Sequence, residues 1–303
     1  MSGALSARGV RGIERPAEDE LLVIVGPTAS GKTDLAIELA EAFGGEVVGA
    51  DSVQIYRAFD IGSGKPTAAE MARAPHHLVD LFDPLDTIDA QRYAKLASGV
   101  IGSIRARGRV PIVCGGAFLW VKALVWGLAK LPAASPEVRA AHEVVVREGG
   151  RAALHARLAE VDPSSAARLS PNDYVRVSRA LEVYEVSGKP QSAWHAEHSF
   201  RAVQHKARLI GVERGREELD RRIELRTKAW LDEGWIDEVR SLIERGYRDA
   251  RAMGSVGYKQ VLDHIEGRLP REELLPAIVR ATRVFVRRQR TWLRDQAVTY
   301  VPG

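Results

Sequence analysis

Residues 26–33 read Gly-Pro-Thr-Ala-Ser-Gly-Lys-Thr, and no other stretch restricts the fold of this chain as strongly. Gly26, Gly31, Lys32 and Thr33 fill the spacing G-x-x-x-x-G-K-[ST], with Pro27, Thr28, Ala29 and Ser30 between them. The apolar run LLVIVG at 21–26 leads into this loop, and a helical pattern from Asp34 to Phe43 follows it. A strand, a glycine loop and a helix in that order aim successive backbone N–H groups at phosphate oxygens, at the helix end that favours negative charge. Lys32 adds a point charge, and the Thr33 hydroxyl is suited to Mg²⁺. Residues 26–33 are therefore expected to hold a di- or triphosphate.

The rest of the chain supplies a sheet for that loop. GEVVGADS (45–52) reads as a second short strand with an acid at its end, and 52–80 as loop. A helix is predicted over about 89–107, then a buried strand at RVPIVCGG. Residues 137–195 show helical periodicity broken at VDPSSAARLSPNDY and VSGKP; HKARLIGVE (205–213) returns to a strand, and the remainder reads as helical. This alternation predicts an α/β fold, a P-loop NTPase-like parallel sheet with a helical insertion. The expected divisions are a flexible leader over 1–19, a core over 20–124 and 201–303 with basic C-terminal helices, and an insertion over 125–200. No apolar run approaches the roughly 18 residues that span a bilayer, and the first twenty residues lack a signal-peptide core. Cys114 is the only cysteine, so there is no disulfide framework. A cytoplasmic protein without a membrane partner is expected, acting as a monomer.

Whose phosphate the loop holds is a separate question. An ATP-splitting P-loop protein places a second acid at the end of a neighbouring apolar strand, but VPIVC ends in Gly115-Gly116. The available acid is Asp51, either a Mg²⁺ ligand or a general base beside the phosphates. An ATP-dependent small-molecule kinase remains an alternative on this evidence. Charge argues otherwise: residues 201–303 carry 22 Lys/Arg against 16 Asp/Glu, whereas residues 1–200 carry 22 against 24. Arg280, Arg283, Arg287, Arg290 and Arg294 step by helical spacing along one face, with Ile278, Ala281, Phe285 and Trp292 on another. Such a stripe invites a polyanion, and a nucleic-acid backbone is the natural one.

The segments GPTASGKTDLAIELA, ADSVQIYRAFDIGSGKP, APHHLVDLFDP, PNDYVRVSRALEVYEVSGKP, SVGYKQ and TRVFVRRQRTWLR stand in this order. With them the chain resembles the tRNA dimethylallyltransferases over about residues 20–295. The resemblance implies transfer of the dimethylallyl group of dimethylallyl diphosphate to N6 of the adenosine just 3′ of the anticodon, position 37. Pyrophosphate is released and Mg²⁺ is required. It implies that residues 26–33 cradle the diphosphate, that Asp51 is the base, and that Lys32, Thr33 with its Mg²⁺, and Arg226 stabilise the leaving group. It further implies that the target base flips out to meet Asp51, Ser52, Val53 and Gln54. Arg139, Val175, Arg176, Val177, Ser178 and Arg179 match segments that contact tRNA. So do Gly254, Ser255, Val256, Gly257, Tyr258 and Lys259, and so do Arg287, Arg288, Gln289, Arg290, Thr291, Trp292, Leu293 and Arg294. The insertion matches the part that grips the anticodon stem-loop.

Three departures from the family pattern stand out. Ala117 and Trp120 occupy GGAFLW where Thr and Tyr are usual, VRRQ replaces AKRQ, and IGSGKP replaces IGTAKP. Ala117 removes a hydroxyl expected near the target base. None touches Lys32, Asp51 or Arg226, so activity is expected. A non-catalytic tRNA-binding relative is the reading Ala117 motivates, and prenylation of free adenine nucleotides is a further one. His76-His77 are expected in a loop rather than on a metal, His195 and His198 lack a third ligand, and Trp126, Trp194, Trp230 and Trp235 are expected to pack.

Overall fold

The computed structural model describes residues 10–198 and 203–303. Its centre is a six-stranded, wholly parallel sheet of order β3-β2-β4-β1-β5-β6. The strands are β1 (Glu20–Val25), β2 (Gly45–Gly49), β3 (His76–His77), β4 (Val110–Cys114), β5 (Lys206–Glu213) and β6 (Val298–Pro302). Leu21 to Val25 are all fully buried, so β1 reads as a continuous apolar run rather than an alternating one. That is the pattern of a parallel strand covered on both faces. Its register, Leu22 opposite Ile112 and Arg208, aligns the ends of β1, β4 and β5. The loops after β1, β2 and β4 thereby share one edge, the carboxyl edge where open α/β sheets bind ligands.

Helix α1 (Lys32–Phe43) covers the sheet with Leu35, Ile37, Leu39 and Phe43 buried. Helices α2 (Ala68–Arg73), α3 (Ala90–Ala106) and α4 (Phe118–Trp126) follow. Thr67 and Glu70 form a reciprocal capping box on α2, and Asp89 caps α3. One compact unit runs to Val125 and resumes at His205; the other spans Trp126–Gln204. The second unit consists of α5 (Pro136–Val161), α6 (Pro163–Arg168), α7 (Tyr174–Ser187) and α8 (Gln191–His198). Leu154, Leu158, Val177, Ala180 and Leu181 form its core. The breaks in its helical periodicity are caps: Asp162 accepts from the Ser165 N–H at α6, Asp173 from the Arg176 N–H at α7, and Gly188 ends α7 in a left-handed conformation.

The first unit closes with α9 (Arg216–Asp232), α10 (Trp235–Glu244), a 3₁₀ turn (Arg251–Gly254), α11 (Tyr258–Ile265) and α12 (Arg271–Arg294). Four expectations need correction. The leader predicted over 1–19 lies outside the described residues as far as Gly9, but Ile13 is 3% exposed in the sheet's core cluster and Arg11 pairs with Glu38. His76-His77 form a short edge strand beside β2, where His77 bonds Glu46 at 2.6 Å. The C-terminal segment is not helical throughout, since β6 pairs with β5. Short edge strands take their definition from a neighbour, which local pattern cannot supply. Lastly, α12 buries Ile278, Thr282, Val286, Gln289 and Leu293, while Phe285 is 37% exposed. Packing on Leu219 and Ile223 of α9 sets that face. Arg283 then reaches Asp220 and Arg280 lies near Glu273, so the arginine stripe is partly neutralised from within.

Candidate active site

The loop between β1 and α1 is built as its sequence predicts. Gly31 is the N-cap of α1 at φ 94°, a conformation open to glycine, and makes no side-chain cap. The N–H groups of the first turn therefore point forward, available to an anion. Ala29 also has positive φ, 64°, a strain of about 1–3 kcal/mol that its surroundings must hold in place. They do so mainly through the backbone. Arg222 donates to the Ala29 carbonyl at 2.9 Å, Arg214 to the Ser30 carbonyl at 2.7 Å, and Arg226 to the Thr28 hydroxyl at 2.7 Å. Gln289 accepts from the Thr28 N–H at 2.9 Å. Arg214 and Arg222 carried no signal in the sequence beyond lying close to Arg226.

Lys32, Arg222 and Arg226 gather at this loop, and among the described residues none forms an ion pair with a carboxylate. Burial pulls the Lys32 ammonium below its ordinary value, with Asp51 acting in the opposite sense. Burial, then the neighbouring Arg222, lower Arg226 to about 10. Its guanidinium also lies 4.4 Å from the centre of the Trp230 ring, and its Nε has no partner. Uncompensated interior cations are costly and call for an anion.

Asp51 stands just past β2. One carboxylate oxygen accepts the N–H groups of Val53 (2.9 Å) and Gln54 (3.3 Å), which fixes the side chain in a turn of its own making. Its position depends on Gly115, because a Cβ there would lie 2.0 Å from the carbonyl oxygen of Ala50. The backbone at Ala50 cannot yield without carrying Asp51 with it. Gly115→Ala should cost stability at or beyond the upper end of the roughly 1–3 kcal/mol typical of overpacking. A denaturant midpoint equal to that of the unmodified chain would refute this.

Two chambers meet here. The outer one, about 460 Å³, is lined by Gly31, Thr33, Asp34, Cys114, Arg222 and Leu225 among others. The inner one, about 370 Å³, has walls of Ala117, Trp230, Trp235, Val256, Ile278 and Phe285. Thr28, Lys32, Asp51, Ser63 and Arg226 line both. The outer chamber is polar and sets Lys32, Arg222 and Arg226 beside Asp34, Asp51 and Glu70. The inner one adds aromatic and aliphatic walls to Lys32, Arg226 and Arg288, and the Asp51 carboxylate is common to both. Trp235 is 1% exposed and packs edge-on against Trp230 and Tyr258, so both tryptophans are packing residues that also form the wall. Trp120 is buried, stacked on Tyr93 at 4.4 Å, and does not line either chamber.

The residues matched to tRNA contacts separate into two sets. Val175, Arg176, Gly254, Val256, Lys259, Arg287, Arg288, Thr291 and Arg294 are exposed, and Ser52, Val53, Ser255 and Ala117 line the inner chamber. Val177, Ser178, Tyr258 and Leu293 are buried, so their side chains pack instead of facing a partner, while Gln289, also buried, reaches the wall of the inner chamber. Gly257 lies over the Trp235 ring, where a Cβ would come within 2.2 Å of it. Gln54 donates to the carbonyls of Ser63 and Gly64, Arg290 donates to the Arg214 carbonyl, and Trp292 stacks on Phe118. The sequence reading missed Glu238, which accepts from the N–H groups of Asp60 and Ile61 and from the Tyr258 hydroxyl, holding the loop that carries Ser63.

In the second unit Arg139 and Arg179 converge on Glu182, which is fully buried and also accepts the Ser135 N–H. Burial alone would raise this carboxyl, but its two arginines hold it below its ordinary 4.5. A depressed folded value means the stabilisation is complete above the unfolded value and is lost as pH falls from there through the folded value. Glu182→Gln should lower stability by about 2–3 kcal/mol at neutral pH and flatten the decline below about pH 4.5. Thermal midpoints measured from pH 3 to 7 would sink this prediction if the variant kept the steeper acid slope.

Among the described residues no group of three or more His, Cys, Asp or Glu is placed to hold a metal. An IPP transferase family model matches residues 54–296. The chain is 70% identical over 300 residues to the tRNA dimethylallyltransferase of Sorangium cellulosum, covering 99% of this chain and 96% of that one. It is 45% identical to the tRNA dimethylallyltransferase of Geobacter sulfurreducens, covering 96% and 94%. The crystal structure of a tRNA isopentenylpyrophosphate transferase from Bacillus halodurans matches with a TM-score of 0.68 at 36% identity, covering 94% of this chain and 90% of that one. A eukaryotic dimethylallyltransferase acting on tRNA shares the fold, with a TM-score of 0.76 at 24% identity over 94% of this chain and 74% of that one.

Proposed function

This chain belongs to the tRNA dimethylallyltransferase family, and from that premise we propose how its two chambers divide the reaction. The enzyme transfers a dimethylallyl group from dimethylallyl diphosphate to tRNA; the kinase alternative falls with the family. The outer chamber takes the diphosphate: the N–H groups at the start of α1, Lys32, Arg222 and Arg226 supply positive charge, and among the described residues none of these three side chains is ion-paired with a carboxylate. The acceptor is N6 of the adenosine 3′ of the anticodon, position 37, flipped out of its stack into the inner chamber. An adenine amino group is a weak nucleophile, its lone pair delocalised into the ring. As the nitrogen bonds the allylic carbon and the carbon–oxygen bond breaks, Asp51 takes the amine proton and pyrophosphate departs. The observation that carries this reading is the position of Asp51, between the cations of the phosphate loop and an aromatic wall.

Mg²⁺ fits the outer chamber, since it asks for only one or two protein oxygens beside phosphate and water, and Thr33 and Asp34 offer hard oxygens there. Bound with the Thr33 hydroxyl, it would offset charge on the leaving pyrophosphate. The exposed Lys259, Arg287, Arg288 and Arg294 of the first unit suit an RNA backbone. In the second unit Arg139 and Arg176 present charge for the anticodon stem-loop, with Arg139 aimed by Glu182. Among the described residues no helix is long and apolar enough to cross a membrane. Action in the cytoplasm, by a single copy, goes with this reading.

The test is incubation with Mg²⁺, radiolabelled dimethylallyl diphosphate and an unmodified tRNA carrying A just 3′ of the anticodon, with AMP in parallel. Label should enter the tRNA and not AMP. Bound tRNA without label would instead indicate the non-catalytic relative that Ala117 raised, and label in AMP would move the acceptor to free nucleotides.

A further inference from the structure

Gln289 lies among Arg287, Arg288 and Arg290, on the most basic stretch of the chain, yet it is 3% exposed. Its side chain runs inward from α12. The amide oxygen accepts from the Thr28 N–H at 2.9 Å, and the amide nitrogen donates to the Gly116 carbonyl at 3.3 Å. A Cβ on Gly116 would stand 2.6 Å from that nitrogen, so glycine at 116 leaves the room in which the amide sits. One partner is a donor and the other an acceptor. A carboxamide offers both an acceptor and a donor at that reach, whereas a carboxylate leaves the Gly116 carbonyl unmet and an alkyl chain leaves both backbone groups unmet.

We propose that Gln289, whose side chain also reaches the wall of the inner chamber, is a positioning residue for the diphosphate loop, tying the loop and the β4–α4 turn to α12, and not a contact to the RNA backbone. The inference rests on the reading of the outer chamber as the diphosphate site. The Thr28 N–H is fixed by Gln289, and the Thr28 hydroxyl is fixed by Arg226. Thr28 is therefore held at both polar groups, immediately before the strained Ala29. Release of the Thr28 N–H lets the strained turn relax, and the first-turn donors of α1 lose the geometry that matches a diphosphate. Gly116 and Gln289 themselves line the inner chamber beside Ala117, so the same amide holds one wall of each compartment.

The experiment compares Gln289→Leu, Gln289→Glu and Gly116→Ala with the unmodified enzyme. It measures the equilibrium dissociation constant for tRNA, that for dimethylallyl diphosphate, and steady-state transfer. The unmodified enzyme must transfer label to tRNA; without that, the reading of the chambers fails before this inference is reached. With transfer established, each variant should bind dimethylallyl diphosphate about tenfold or more weakly, the scale of a lost buried hydrogen bond. Their tRNA dissociation constants should stay within about twofold. Gly116→Ala, which leaves α12 unaltered, should reproduce the Gln289→Leu defect, and the double variant should be no worse than either single one. Loss of tRNA affinity with unchanged donor binding in Gln289→Leu would overturn the proposal and make Gln289 an RNA contact. Additive defects in the double variant would overturn the link between the two residues. Binding constants are read at a temperature where circular dichroism shows each variant folded, and the donor-against-tRNA split is a signature that general destabilisation does not produce.

Discussion

Asp51→Asn should lower the rate of dimethylallyl transfer by about 10²–10⁴-fold, the range a positioned general base contributes. Its effect on tRNA binding should be small. Asparagine keeps an oxygen that accepts the Val53 and Gln54 N–H groups, so the turn that positions residue 51 survives. What it loses is the capacity to take a proton at the junction of the chambers. A single-turnover measurement with saturating substrates isolates this step from binding. A rate within about tenfold of the unmodified enzyme would mean that another group accepts the proton, and the mechanism above would have to be redrawn.

The second large effect concerns the cations. Arg226→Met should cost about 10²–10³-fold in transfer, the scale of one lost group stabilising developing anionic charge. The same variant should melt at or above the temperature of the unmodified protein when no substrate is bound. Arg226 is paid for by function rather than by folding: among the described residues no carboxylate pairs with it, its Nε is unsatisfied, and Arg222 repels it. Methionine keeps the contact with the Trp230 face while removing a charge that burial disfavours. Loss of activity with a lower melting temperature would show that the guanidinium holds the fold at Thr28 as its main task.

Lys32 adds a pH dependence with a definite sign. Burial holds its ammonium below the ordinary 10.5 in the ligand-free protein, so it deprotonates earlier than an exposed lysine as pH rises. A bound diphosphate favours the charged form. Donor affinity should therefore weaken with rising pH before an exposed lysine would titrate, and Lys32→Met should lose that alkaline limb. Calorimetric titration with dimethylallyl diphosphate between pH 7 and 10 reads this directly. A Lys32→Met variant that keeps the same alkaline fall would assign it to another group.

Several features were legible in the sequence because their physics is local. The loop at 26–33 needs only a strand, glycines at fixed spacing and a helix start, all within a dozen residues, and it is built as written. The parallel sheet follows from apolar runs that do not alternate, and Asp51 from its place at the end of one of them. The ordered motif set likewise pointed to the family to which the chain belongs. The arginine stripe was correctly placed on one helix, but sequence spacing does not say which arginines meet an acid; Arg283 meets Asp220 of α9.

Other features exist only where distant segments meet. β3 and β6 are strands because β2 and β5 offer them partners, not because their own residues insist on it. Gly115 is required by the backbone of Ala50, and Gly62 by the face of Trp235, contacts across 65 and 173 positions of chain. Val177 and Leu293 stand inside motifs matched to RNA, yet core packing takes their side chains. Gln289 is the plainest case. By sequence it belongs to a basic strip matched to RNA contacts; by structure its side chain turns inward, onto a donor and an acceptor of two other segments. Sequence determined which groups the protein possesses and the local turns that present them. Tertiary packing alone decided which of those groups remain free for a substrate and which are consumed in holding the others still, because buried hydrogen bonds are assigned by the partners that folding brings within reach.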